Sequence, residues 1–286
     1  MSSYIFEHPE CEWDYVRLSA NPIISMEDIE NHPEIEWSYV FLCFNPNLTW
    51  EYIHSHPVIN WNYEILSQHP NITMDIVLEN PQIEWNHSYL SCNPSITMDD
   101  VQRNPQIDWE FNYLSENPNL TWDFIQQFPH LIADPYKIRR GIVVNGWCFD
   151  KLSKNKCITW EIVKNNLYLP WSFESLSENP NITWENVCEM PQLSWCFTRL
   201  SEHPNITMDI IRRNIHKEWR SHRIAMNPNV TADMFETLDI TNCELISSNP
   251  NITWEVVEDN PNFNWNYSLL SQNHHIGYDP QPYVLK

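Results

Sequence analysis

Few side chains in this chain have the type and spacing that chemistry needs. Eight cysteines (Cys11, Cys43, Cys92, Cys148, Cys157, Cys188, Cys196 and Cys243) never stand as Cys-x-x-Cys. They read as scattered reduced thiols rather than a zinc or disulfide framework. His216 and His222, or His274-His275, could hold a metal in principle. His8, His32, His56, His69 and His203 each precede a proline and read as turn residues. The neighbouring carboxylates Asp99 and Asp100 would not face each other on a helix, so they read as acids of a cap region. Three glycines cannot build several phosphate loops, and no nucleophile elbow, His-Glu-x-x-His or EF-hand spacing occurs. The expectation is no catalytic residue, no cofactor and no metal, hence no enzyme.

Two basic clusters stand out against a net charge of −22. Lys137, Arg139 and Arg140 form one; Arg212, Arg213, Lys217, Arg220 and Arg223 form the other. Fourteen of the 16 Lys and Arg lie after residue 136, and residues 1–129 hold only Arg17 and Arg103. These eight residues are the candidate partner-binding positions, for an acidic partner and foremost a protein face. The alternative is a nucleic-acid or phosphate-binding module using the same patches. The overall acidity disfavours nucleic acid and anionic membrane. No apolar run approaches a membrane span. The start Met1-Ser-Ser-Tyr-Ile-Phe-Glu-His has neither a basic nor an apolar signal region, so a secreted protein is not expected.

A repeat must position these groups. Asn117-Pro-Asn-Leu-Thr-Trp-Asp, Asn179-Pro-Asn-Ile-Thr-Trp-Glu and Asn249-Pro-Asn-Ile-Thr-Trp-Glu are one motif. From Pro9 to Pro129 the prolines alternate gaps of 13 and 11, a 24-residue period with two unlike halves. In the first half a hydroxyl (Ser25, Thr49, Thr73, Thr97, Thr121 and on to Thr253) is placed to cap a helix. An acid follows two residues later, where the helix dipole favours it. The next Asn-Pro or His-Pro stops that helix after roughly seven residues. In the second half a Trp stands four residues after the beat (Trp13, Trp37, Trp61, Trp85, Trp109 and on to Trp265), with a Leu five later. This predicts a second, slightly longer helix. Of nine Asn-x-Ser/Thr sequons, seven are the Asn after Pro plus the capping Thr, a structural rather than a glycosylation pattern.

Helices this short do not persist alone, so they must stack. The expected fold is all-α: an α-solenoid of about ten two-helix units with about 21 helices. Its parts are an N-terminal array (1–129), an irregular insertion (130–142), a C-terminal array (143–276) and a tail (277–286). Lys217 takes the place of an apolar Ile, a substitution expected to sacrifice roughly 1.5–3 kcal/mol of core burial. The array resembles the short tandem-repeat proteins rich in Asn-Pro-Asn-Ile-Thr-Trp that giant DNA viruses of amoebae encode. The resemblance implies a viral protein in host cytoplasm or virion and names no activity. The expected function is a non-catalytic scaffold for protein–protein interaction.

Overall fold

The structure is a computed structural model and describes residues 3–7, 9, 11–131, 146–231, 234, 243–261 and 263–273. Among these residues it is all-helical without a strand, and its helices are short and regularly spaced. The first-half helices include Met26–Asn31, Trp50–Ser55, Met74–Glu79, Met98–Arg103, Trp160–Asn165, Met208–Arg213 and Trp254–Asp259, six residues each. Each starts where the expected hydroxyl accepts a backbone N–H: Thr49 from Tyr52, Thr97 from Asp100, Thr207 from Ile210. At Thr97 the Asp100 carboxylate also accepts the Thr97 N–H, closing a capping box, and Asp99 pairs with Arg103 at 2.8 Å. The two neighbouring acids thus do separate structural jobs. Five of them end at a residue before Pro whose ψ has left the helical range, as at His32 (ψ 61°) and Asn104 (ψ 60°), and Trp160–Asn165 and Met208–Arg213 end the same way at Asn166 and Asn214 with Leu167 and Ile215 in the proline's place. Thr121→Ala, which removes the acceptor 3.2 Å from the Phe124 nitrogen, should lower stability by about 1 kcal/mol in denaturant melts. Thr121→Asp should be near neutral; equal effects of the two would mean that the hydroxyl is not the cap.

The second-half helices differ from expectation. Tyr39–Leu42, Tyr63–Leu66, Phe111–Leu114, Phe173–Leu176 and Tyr267–Leu270 have four residues each, shorter than the first-half helices, and His87–Cys92 and Phe149–Lys154 have six, equal to them rather than longer. The Trp is not in the helix. It lies in the extended approach, and the next residue is the N-cap: Ser38, Asn62, Asn86, Ser172 and Asn266 each accept an N–H three residues on. The indole N–H donates instead to the carbonyl five residues back, as from Trp37 to His32 (3.0 Å) and Trp109 to Asn104 (2.9 Å). One side chain therefore fills the core and closes the preceding turn.

By their contacts the residues form two compact units, Asn62–Asn205 and a second made of Met1–Trp61 with Ile206–Lys286. Inside Asn62–Asn205 the core is a column of Leu66, Leu90, Leu114, Leu152, Leu176 and Leu200 beside Ile72, Ile96, Ile158 and Ile182, all buried. Polar ladders bind each repeat to the one before. Asn117 is fully buried and its amide donates to the carbonyls of Ser91, Asn93 and Ile96 at 2.9–3.1 Å. Asn93 does the same one repeat earlier and Asn179 two repeats later. The Asn after the proline supplies a second rung: Asn119 donates to Pro94 and Ile96. A third uses the Ser that follows the core Leu. Ser91 accepts the N–H of Glu110 and donates to the His87 carbonyl. Both Asn of the Asn-Pro-Asn words that open first halves, as at Asn117 and Asn119 or Asn179 and Asn181, are thus inter-repeat donors, which accounts for the sequon spacing.

The ladder is kept on both sides of the insertion. Leu131 N–H bonds to Phe128, and Trp147 N–H bonds to the Leu131 carbonyl at 3.1 Å, as Trp109 does to Ile107. Pro129 keeps the beat, since Leu131 stands to Trp147 as Ile107 stands to Trp109. Residues 132–145 lie outside the described residues. Asn155 then reaches back to Ser115 and Asn117 as an uninterrupted repeat would.

The other unit has the same rungs. Asn45 donates to Ser19, Asn21 and Ile24. The repeat shortened by two keeps its rung, since Asn249 reaches Asn227 at a separation of 22. The last described repeat also stacks on the first. Asn21 donates to Ser271 (2.8 Å) and Asn273 (3.3 Å), and Asp14 N–H donates to Ser271 Oγ at 3.2 Å. Asp14 stands to Ser271 as Ser38 stands to Ser19. Trp13 packs edge-on to Tyr267 at 5.3 Å, as Trp37 does to Tyr15 at 5.9 Å. Residues some 250 positions apart thus meet in register.

Candidate partner-binding site

Two Asn positions of the ladder hold histidine: the His69 ring accepts the Asn71 N–H, and the His203 ring does the full work of the amide. His203 is buried; Nε2 lies 2.9 Å from the Asn179 carbonyl and Nδ1 accepts the Asn205 N–H. These partners require the neutral ring with its proton on Nε2. Burial holds the His203 pKa below its ordinary value, partly offset by the Asn179 carbonyl. Below about pH 6.5 the unfolded chain binds a proton that the folded ring refuses, so stability falls from there down to the lowered folded pKa. His203→Asn should lose less melting temperature between about pH 7.5 and 5.5 than the parent. Equal losses would remove His203 from the acid response.

Arg212 and Arg213 are exposed in the last turn of Met208–Arg213, with Arg212 3.5 Å from the Asp209 carboxylate. Arg220 is the exposed N-cap of Ser221–Ile224, and Arg223 is half-buried in its last turn. Lys217 lies in the connecting turn, half-buried. The Ile of other repeats at its position (Ile35, Ile59, Ile83, Ile107) is also only half-buried, because that slot faces the turn and not the core. Lys217 therefore does not give up the core burial expected of it. Lys137, Arg139 and Arg140 lie outside the described residues.

Other cations of the basic half are held by neighbouring repeats. Lys151 meets Glu116 at 3.2 Å, Lys154 meets Glu178 at 2.8 Å, and Arg199 pairs with Glu174 (2.9 Å) and Glu178. Lys164 bridges Glu161 and Glu189. The Trp160 indole, first, and Lys164 lower the Glu189 pKa, so that carboxylate stays ionised. Opposite charges spaced by one repeat were the sequence signal for these pairs. Exposed pairs of this kind stabilise little, but they leave fewer cations to meet a polyanion.

A different surface departs from the repeat without such pairing. Val16, Val40, Phe41 and Phe44 are 44%, 52%, 41% and 47% exposed on two successive second-half helices and the turn after them. The Phe41 and Phe44 rings lie 6.4 Å apart. Later repeats place Glu64, Asn112, Asp150 and Glu174 where Val40 stands, and Gln68, Glu116, Lys154 and Glu178 where Phe44 stands. Beside the patch opens a cavity of about 390 Å³ lined by Arg17, Ala20, Asn21, Phe41, Ser271 and Gln272. No family model, curated protein or solved structure matches this chain. The surface must therefore be read by its own chemistry. Its apolar side chains, rimmed by Arg17 and Gln272, suit an apolar protein segment better than a charged ligand. Among the described residues no group of three or more metal-ligating side chains converges, and no helix is long and apolar enough to cross a membrane.

Proposed function

We propose that this chain is a non-catalytic α-solenoid scaffold that binds another protein through the outward surface of its second-half helices. The observation that carries this reading is the exposed patch of Val16, Val40, Phe41 and Phe44. Exposed apolar side chains that adjoin one another on successive elements mark interaction sites, whereas single ones need no explanation. The ladder residues support the same reading, because the polar groups that recur in each repeat are spent on neighbouring backbone and leave no constellation for a reaction. The nucleic-acid alternative draws less support, since Lys151, Lys154, Lys164 and Arg199 already face carboxylates. The setting, host cytoplasm or virion of a giant virus, rests on the repeat's resemblance alone. Mass spectrometry of purified particles separates those two places.

The experiment is a paired pull-down with charge variants. Val40→Glu with Phe41→Glu should abolish capture of the bound protein, while Arg212, Arg213, Arg220 and Arg223 all changed to Glu should leave it. Circular dichroism should be unchanged in both, because the substituted side chains are outside the core. The reverse pattern would move binding to the basic cluster and an acidic partner, and would overturn the apolar patch.

A further inference from the structure

We propose that the junction between the first and last repeats is an exchangeable interface whose alternative occupant is a second copy of this chain. One copy would offer Trp13, Asp14 and Asn21, and the other Tyr267, Ser271 and Asn273. Three observations carry this. The two faces are complementary and differ from each other, and they meet in the register of an interior repeat contact, so a second copy would make the same bonds. Such a heterologous pair of faces is the geometry of domain swapping.

Among the described residues the junction also lacks one donor that interior contacts have. Ile23 stands where the following repeat has Asn47, whose amide donates to Pro22 and Ile24, so the second Asn rung has no counterpart in the first repeat. The cavity of about 390 Å³ lies at this same junction, lined from one side by Ala20 and Asn21 and from the other by Ser271 and Gln272. An incompletely filled interface opens more readily than a packed one. No covalent step is involved; opening exchanges one set of hydrogen bonds for an identical set.

Closure within one chain is favoured by an effective concentration on the order of millimolar, so single copies dominate dilute solutions at equilibrium. Exchange should be trapped by refolding at high protein concentration. The test uses the full chain in two preparations, labelled with donor and acceptor dyes, unfolded together, refolded concentrated and then diluted. Light scattering after size exclusion should show a two-copy species, with energy transfer between the labels. Full-length chain whose two ends are joined by a peptide linker should give none. Asn21→Ala loses two of the junction's hydrogen bonds and should speed exchange of preformed species by roughly 10- to 30-fold, without needing the linked protein to fold. A two-copy species formed equally well by the linked chain, its absence from the open chain, or an unchanged exchange rate in Asn21→Ala would each overturn the proposal. The outcome is independent of the apolar patch, which the Val40 and Phe41 variants test separately.

Discussion

Asn117→Ala should destabilise the protein by about 3–5 kcal/mol while leaving the surface nearly unchanged. The amide is fully buried and donates to three carbonyls of the preceding repeat, and its oxygen accepts the Asn119 N–H at 2.8 Å. A hydrogen bond contributes about 1 kcal/mol net, and a buried group left without a partner costs more. Asn117→Asp should be at least as damaging, because it turns a donor facing three carbonyl oxygens into a buried carboxylate. Asn117→His should be the mildest of the three, because His203 fills the same slot with one ring nitrogen toward a carbonyl and the other accepting an N–H. Urea melts of the three variants check the order. Asp milder than His would mean that the slot does not require a donor.

Trp109→Ala should cost a similar amount, about 3–5 kcal/mol, the usual loss for a buried aromatic. The ring is 7% exposed and its N–H reaches the Asn104 carbonyl at 2.9 Å. Trp109→Phe separates the two contributions: it keeps most of the ring and removes the bond, so about 1–2 kcal/mol should remain. A loss under about 1 kcal/mol for the alanine variant would place the ring in solvent. Because neighbouring repeats share their interfaces, Asn117→Ala with Trp109→Ala should not be additive.

The all-helical class and the first-half helices were legible because their signals are local: a hydroxyl, an acid two residues on, and a proline to stop the turn. The second-half helices were misjudged in length. Trp and Leu five apart look like positions along one element, yet Trp37 sits in the approach and Leu42 ends the helix. The ladder was hidden for a different reason. Asn before Pro is sufficiently explained as a turn residue, and nothing local tells that Asn45 also reaches Ser19, Asn21 and Ile24. The contact of Asn21 with Asn273 is further still from any sequence window. At the candidate site, Lys217 was overread because its slot was taken for core. Val16, Val40, Phe41 and Phe44 were passed over because four-residue helices are too short for periodicity to separate an inward from an outward face. Only the exposure of these side chains, together with the polar and charged residues that later repeats place where Val40 and Phe44 stand, sets them apart.

The central claim is that, within each compact unit, the repeat's polar words bind a repeat to the one before it. Amide hydrogen exchange of the full-length protein and of Asn117→Ala, read by mass spectrometry under native conditions, tests it most directly. The account predicts faster exchange on both sides of the lost rung, in the segment 87–96 that supplied the three carbonyls and in 117–126 that supplied the amide. Faster exchange confined to 117–126, with 87–96 as protected as before, would contradict it: Asn117 would then be no more than a turn residue.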